Sequence, residues 1–248
     1  MADQEFENER REDIARMAAD EGFSAKTLDW LAQAQERRYS YQFDWMGLPI
    51  IQYPQDIVAM QELVWSLKPD LIIETGIARG GSVIFYASLL ELNAMCGGPG
   101  DAIVVAVDID IRAQNRQAIE AHPMAHRLDL IEGSSIDPDV ISQIREKVAG
   151  RRSVLVCLDS NHTHDHVLEE LRAYGPLVTH NSYVVVFDTL IETLPDTAIG
   201  DRPWGPGDNP MTAVHSYLQE DDHFEIDHAR HTKLQITVAR NGYLKRVG

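Results

Sequence analysis

Residues 71–85 run Leu-Ile-Ile-Glu-Thr-Gly-Ile-Ala-Arg-Gly-Gly-Ser-Val-Ile-Phe, and few folds accommodate such a stretch. The aliphatic run 71–73 predicts a buried strand closed by the acid Glu74. The glycine-bearing stretch 76–81 predicts a turn, and the pattern from Ser82 onward predicts a helix. A strand that passes through glycines straight into a helix is the first βα unit of an α/β domain binding a nucleotide or nucleoside. Gly76 lets the backbone turn sharply and lie close to a ligand. The helix start after Gly80 and Gly81 leaves N–H groups free for a carboxylate or phosphate.

The rest of the chain repeats this unit. Strands are predicted at 71–74, 102–107, 128–131, 153–158 and 182–187, separated by helices at 82–92, 112–121, 138–148 and 165–174. A helix follows at 209–218, then short strands at 224–226 and 234–239 that predict a terminal hairpin. The expected fold is α/β and Rossmann-like, with a mostly parallel seven-stranded sheet, helices on both faces and a C-terminal antiparallel hairpin. Ahead of it, residues 1–10 are charged and expected to fray. Helices are expected at 13–20 and 24–38, the second capped by Ser24. The aromatic stretch 39–51 suits either a lid or a core docking the N-terminal helices, and 52–56 reads as a turn opening a helix to 67. Residues 1–55 are therefore expected to form an extension, lid or oligomer arm, and 56–248 the binding domain. The irregular stretch 190–208, with Trp204, has the length of a functional loop.

The first turn is acidic-x-Gly-x-x-x-Gly-Gly-Ser, not Gly-x-Gly-x-x-Gly. Ala78 stands where a pyrophosphate-binding turn needs its second glycine. The spacing suits S-adenosylmethionine (SAM) better than NAD and resembles motif I of class I methyltransferases. Ligands of open α/β sheets bind beyond the carboxyl ends of the strands, and four such ends carry acids: Glu74, Asp108, Asp159 and Asp188. Helix capping by Asp explains one or two of them. Asp108 is placed to accept the hydroxyls of a ribose, and Ser134 in Gly133-Ser134-Ser135 to lie beside an adenine. Asp159 and Asp188 end neighbouring strands about 4.8 Å apart, so they can converge on one hard cation such as Mg²⁺. A cation there would acidify a substrate hydroxyl, with His162 placed to take its proton. The spacing of His162, His164 and His166 is not that of a zinc site, and His164 and His166 are expected to face solvent.

The formal net charge of −17 argues against nucleic acid and against an anionic membrane surface. No run of about 18 apolar residues is present and the acidic start is no signal peptide. Two cysteines, Cys96 and Cys157, give no disulfide framework, which points to a reducing cytoplasm.

The stretches Glu74-Thr75-Gly76-Ile77-Ala78-Arg79-Gly80-Gly81-Ser82, Val107-Asp108-Ile109-Asp110, Gly133-Ser134-Ser135, Leu158-Asp159-Ser160-Asn161-His162, Val186-Phe187-Asp188 and Asn241-Gly242-Tyr243-Leu244, in that order, resemble the cephalosporin hydroxylase/rhamnosyl O-methyltransferase family over roughly residues 41–247. The resemblance implies a class I methyltransferase fold, SAM as cofactor, a Mg²⁺-assisted step and a sugar hydroxyl as acceptor. On that reading Glu74, Gly76, Gly80, Ser82, Asp108 and Ser134 hold the cofactor. Asp159 and Asp188 hold the metal, and His162 and Asp159 serve catalysis. The family carries an acidic pair after the fifth strand, and here the first of the pair is Phe187. The sequence also admits a catechol-like acceptor, an NAD-dependent oxidoreductase or a non-catalytic SAM-binding partner protein. A small-molecule or sugar substrate and a homo-oligomer are expected.

Overall fold

Every residue of the strand Leu71–Thr75 is buried. Strands flank it on both edges and helices cover both faces, so a strand so placed is apolar at consecutive rather than alternate positions. The computed structural model describes residues 3–248. It opens with α1 (Gln4–Ala19) and α2 (Glu21–Glu36), then the hairpin β1 (Phe43–Trp45) and β2 (Leu48–Ile50). The alternating part comprises α3 (Pro54–Leu67), β3 (Leu71–Thr75), α4 (Gly81–Met95), β4 (Ile103–Asp108), α5 (Ala113–Glu120), β5 (Leu128–Glu132), α6 (Pro138–Val148), β6 (Val154–Leu158), α7 (His164–Tyr174) and β7 (Tyr183–Val186). It closes with α8 (Asp196–Ile199), α9 (Pro210–Glu220), β8 (Phe224–Ile226), α10 (His228–Leu234) and β9 (Tyr243–Arg246).

The seven-stranded sheet has the order β5-β4-β3-β6-β7-β9-β8. β3 to β7 run parallel, and β9 is antiparallel to both its neighbours. The chain order reverses between β3 and β6, so the loops leaving these strands diverge and open a crevice. Thr75 lies opposite Val107 on β4 and Leu158 on β6, and Leu158 lies opposite Val186 on β7. The carboxyl ends of these strands are therefore level, and Asp159 and Asp188 leave the sheet at one edge.

The period of two divides the core into two layers. Ile72, Val104, Leu155 and Val185 face α4, while Leu71, Ile73, Val105 and Val156 pack with residues of α6 and α7. α4 is buried nearly all round because β1 and β2 cover the side away from the sheet. Trp45 meets Phe85 edge-on at 4.8 Å and its indole N–H donates to Ser88 Oγ at 3.1 Å. The aromatic stretch thus docks on the core, and Leu31, Ile50 and Tyr53 belong to the same apolar cluster as Ile72 and Ile84.

Four expectations are corrected. α1 starts at Gln4 under an Asp3 cap, so residues 3–10 are not frayed and the expectation for residues 1 and 2 lies outside the described residues, and Asp20 rather than Ser24 caps α2. The last strand is β9, not 234–239. The backbone and hydroxyl groups of that segment are spent elsewhere: Thr237 Oγ1 donates to the Asp56 carboxylate, Val238 N donates to it at 3.0 Å, and Val238 O accepts Leu190 N at 3.0 Å. The stretch 190–208 is not wholly irregular, since it contains α8. Among the described residues no helix is long and apolar enough to cross a membrane.

Two glycines of the first turn are required by chain packing. A Cβ on Gly76, at φ +93°, would lie 2.0 Å from the Asp159 carbonyl oxygen, and one on Gly81 would lie 2.3 Å from the Pro49 carbonyl oxygen. Both spaces are filled by protein rather than kept for a ligand. Gly76→Ala combines a left-handed backbone with a clash that no side-chain rotation relieves. It should lower unfolding free energy by roughly 2–4 kcal/mol, read as a shift in the denaturant midpoint.

Candidate active site

Asp159 is the first residue beyond β6, and its N–H donates to Thr75 O at 2.9 Å, which ties it to the end of β3. Asp188 follows β7 by two residues and sits at φ +54°, a conformation uncommon outside glycine. The turn after it is clamped by Leu190 N and Thr189 Oγ1, which donate to Val238 O at 3.0 and 3.2 Å. Asp56 anchors that Val238 from behind, so a buried carboxylate on α3 indirectly sets where Asp188 points. Asp188 Oδ2 lies 3.0 Å from His162 Nε2. One donor atom from each of Asp159, His162 and Asp188 falls within 4.8 Å of the others. Gln52 Nε2 donates to Asp159 Oδ2 at 3.2 Å.

Burial raises the Asp159 carboxyl well above the usual carboxylate range, and the charges of Asp188, Glu74, Glu170 and Asp56 raise it further. Burial likewise pushes Asp56 up to about 7, against the hydrogen bonds from Thr237 and Val238. Glu74 is pushed up to about 8 by burial and then by the charge of Asp108, and its Oε2 has no hydrogen-bond partner. The carboxyl edge of the sheet is thus a crowd of acids with one amide donor and one imidazole among them.

Gln52, Asp159, His162 and Asp188 line a cavity of about 250 Å³. The β3–α4 loop contributes Gly76 and Arg79, and the N-terminal segment contributes Arg38, Tyr41 and Gln52. The stretch 190–208 contributes Ile199, Arg202 and Trp204. The Trp204 ring stands edge-on to His162 at 4.8 Å.

Of the residues the sequence singled out, Gly76, Ser82, Asp159, His162 and Asp188 line this cavity, and Glu74, Gly80, Asp108 and Ser134 do not. Asp108 instead braces the first turn. Its Oδ2 accepts Ile77 N at 2.8 Å and Ala78 N at 3.1 Å, and its Oδ1 accepts Asp110 N at 3.1 Å. These bonds hold Ala78 at φ +47°, where other turns of this kind use glycine. Gly80 packs on Ile119, and the Ser134 carbonyl accepts Asp137 N at 3.0 Å. His164 and His166 are half-buried rather than solvent-facing. His164 Nδ1 meets Thr212 Oγ1 at 2.8 Å, and His166 Nε2 lies 3.0 Å from Ser135 Oγ and 3.2 Å from Ser160 Oγ. Gln52, Arg38, Tyr41 and Arg202 escaped the sequence reading. Gln52 stood in a segment legible only as a turn, and the others had no local pattern linking them to the strand ends.

The profile described as Rhamnosyl O-methyltransferase/CmcI matches residues 37–247. The chain belongs to the rhamnosyl O-methyltransferase/CmcI family. A relative is the rhamnosyl O-methyltransferase of Mycobacterium leprae, 30% identical over 236 residues, covering 91% of this chain and 94% of that protein. Among solved structures, CmcI with Mg and SAM superposes with TM-score 0.58 at 18% identity, over 84% of this chain and 78% of the other. The O-methyltransferase TomG from Streptomyces achromogenes, in complex with SAM, superposes with TM-score 0.56 at 18% identity, over 93% and 96%. These likenesses give the class I methyltransferase fold, and membership of the rhamnosyl O-methyltransferase/CmcI family makes the chain a methyltransferase.

Glu74 sets a pH dependence. It ionises near its ordinary 4.5 when unfolded but near 8 when folded, so between those values the folded chain holds the extra proton and stability falls as pH rises. The melting temperature of the ligand-free protein should decline from pH 5 to 8, and Glu74→Gln should flatten that slope in a pH series of thermal melts.

Proposed function

We propose that this methyltransferase transfers a methyl group from SAM to a sugar hydroxyl, with a divalent cation at Asp159 and Asp188 and with His162 taking the acceptor's proton. The observation that carries the reading is the convergence of Asp159, His162 and Asp188 in one cavity with the β3–α4 loop. The sugar comes from the rhamnosyl O-methyltransferase relatives, and the cation and SAM from the Mg- and SAM-bound CmcI fold neighbour. Two free cysteines are consistent with a reducing cytoplasm.

The residues suit the groups they would hold. Asp159 and Asp188 have no Lys or Arg within ion-pair distance among the described residues. A cation would offset the neighbouring negative charges that, after burial, raise Asp159. The unpartnered Glu74 Oε2 and Gln52 Oε1 leave acceptor capacity beside the β3–α4 loop. When bound, SAM supplies an electrophilic methyl group and the cation supplies Lewis acidity at the acceptor oxygen.

The chain's own part is positioning and proton removal. Trp204 holds the His162 ring edge-on and Asp188 Oδ2 lies 3.0 Å from its Nε2, which leaves Nδ1 to accept a proton. Gln52 orients Asp159. The aliphatic wall of Ile191, Leu194 and Ile199 keeps water away from the acceptor.

A second reading of His162 has its own support. Phe187, where the family has its first acid, is buried in the core beside Ile50 and Met60. His162 Nε2 lies among the carboxylates as a third donor. A nitrogen ligand moves the preference from Mg²⁺ toward Mn²⁺ and its neighbours.

His162→Ala should cost about 10²- to 10⁴-fold in turnover, measured as S-adenosylhomocysteine released with rhamnoside acceptors. Mn²⁺ affinity retained in that variant identifies a base, and Mn²⁺ affinity lost identifies a ligand. Asp188→Asn should lose both turnover and Mn²⁺ binding. Full turnover by both variants would overturn the site.

A further inference from the structure

The chain carries 22 basic against 39 acidic side chains, so a guanidinium in it has carboxylates to spare. Several arginines use them: Arg172 pairs with Glu169 and Glu220, and Arg116 with Glu120 and Glu132. Arg38, Arg79 and Arg202 each lack a carboxylate within 4.0 Å among the described residues, and all three line the one cavity that holds Asp159, His162 and Asp188. Arg79 lies on the β3–α4 loop assigned above to the cofactor. Arg38 and Arg202 come from opposite ends of the chain and have no such assignment.

Both are held in the same way. The Arg38 guanidinium carbon lies 4.2 Å from the centre of the Tyr41 ring, and that of Arg202 lies 5.4 Å from the centre of the Trp204 ring. A guanidinium held over an aromatic ring and paired with no carboxylate keeps N–H groups for a planar or tetrahedral oxyanion. Arg38 is also set by its backbone, which leaves α2 at φ +53° in the left-handed region. Arg202 is tied to the reacting groups, because the Trp204 ring it stacks on is the one standing against His162.

We propose that Arg38 and Arg202 form a phosphoryl subsite for the acceptor, so that the sugar methylated here carries an anomeric phosphate or a nucleotide diphosphate. This rests on the sugar O-methyltransferase reading and narrows its substrate class. Two guanidinium forks from opposing segments match a doubly charged phosphate or diphosphate better than one carboxylate. The acids at the strand ends cannot take this role. They repel an anion, which keeps the charged end of the acceptor at the arginines and leaves its hydroxyls for Asp159 and His162.

The test measures binding apart from turnover. Inorganic pyrophosphate is titrated calorimetrically into the intact protein in the presence of S-adenosylhomocysteine, for the wild type, Arg38→Gln, Arg202→Gln and the exposed control Arg145→Gln on α6. Each cavity variant should weaken binding about 10- to 100-fold, the control should match the wild type, and wild-type affinity should fall with ionic strength. Rhamnose 1-phosphate, dTDP-rhamnose and methyl rhamnoside are then compared as acceptors. A lower KM for one of the phosphorylated sugars, raised by Arg202→Gln with melting temperature unchanged, supports the subsite and tells which phosphoryl group it takes. Equal pyrophosphate affinity in the wild type and both variants overturns it. A neutral rhamnoside used as well as the phosphorylated sugars overturns it too, while leaving sugar methylation standing. No transfer to any sugar, with pyrophosphate binding still dependent on both arginines, supports the anion subsite and overturns the sugar reading instead.

Discussion

Like charge crowded against the carboxyl edge of the sheet is the constraint on which the site depends. Asp159 and Asp188 share a cavity, Glu74 is buried one strand away, and Asp56 lies behind them on α3; burial and then the charges of these neighbours raise the affinity of Asp159 for a proton. The fold tolerates this in part because three of the acids have separate partners. Asp56 is bonded to Thr237 and Val238 and Asp159 to Gln52, while Asp188 Oδ2 lies 3.0 Å from His162 Nε2. None of these anchors is a Lys or Arg. A permanent cation inside the cluster would neutralise the carboxylates that suit a metal, and the unpaired arginines stand on other walls of the cavity.

The N-terminal segment is part of the same construction. Its aromatics do two jobs at once: Trp45 docks on α4, while Tyr41 and Gln52 face the cavity. The close approach of Gly81 to the Pro49 carbonyl joins the hairpin to the start of α4, and both residues line the cavity. The sequence left lid and core as alternatives for this stretch because aromatic residues suit both, and only packing shows Trp45 on the core and Tyr41 on the cavity wall.

Two errors of the sequence reading share one physical origin. The segment 234–239 has β-branched residues and reads as a strand, yet it forms no ladder because a buried Asp56 from far upstream takes its donors. His164 and His166 follow a polar loop and read as exposed, yet α7 carries them against Thr212 and Ser135. In each case the deciding partner is distant in sequence, where no local period reaches. Phe187 shows the reverse: the departure from the family's acidic pair was visible in the chain, but that its ring joins the core was not.

The sequence by itself determined the alternation of strand and helix, the parallel sheet and the acids at strand ends, because apolar runs, period and glycine turns are local properties that backbone sterics convert directly into elements. Tertiary structure alone decided what those acids do. Level registers across β3, β6 and β7 bring Asp159 and Asp188 to one imidazole, whereas Asp108, equally acidic and equally at a strand end, is turned to brace the loop at Ile77 and Ala78. It also decided that Gln52, Arg38 and Arg202 share their cavity. Charge and hydrogen bonding act through space, and the distances they act over exist only once the chain has folded.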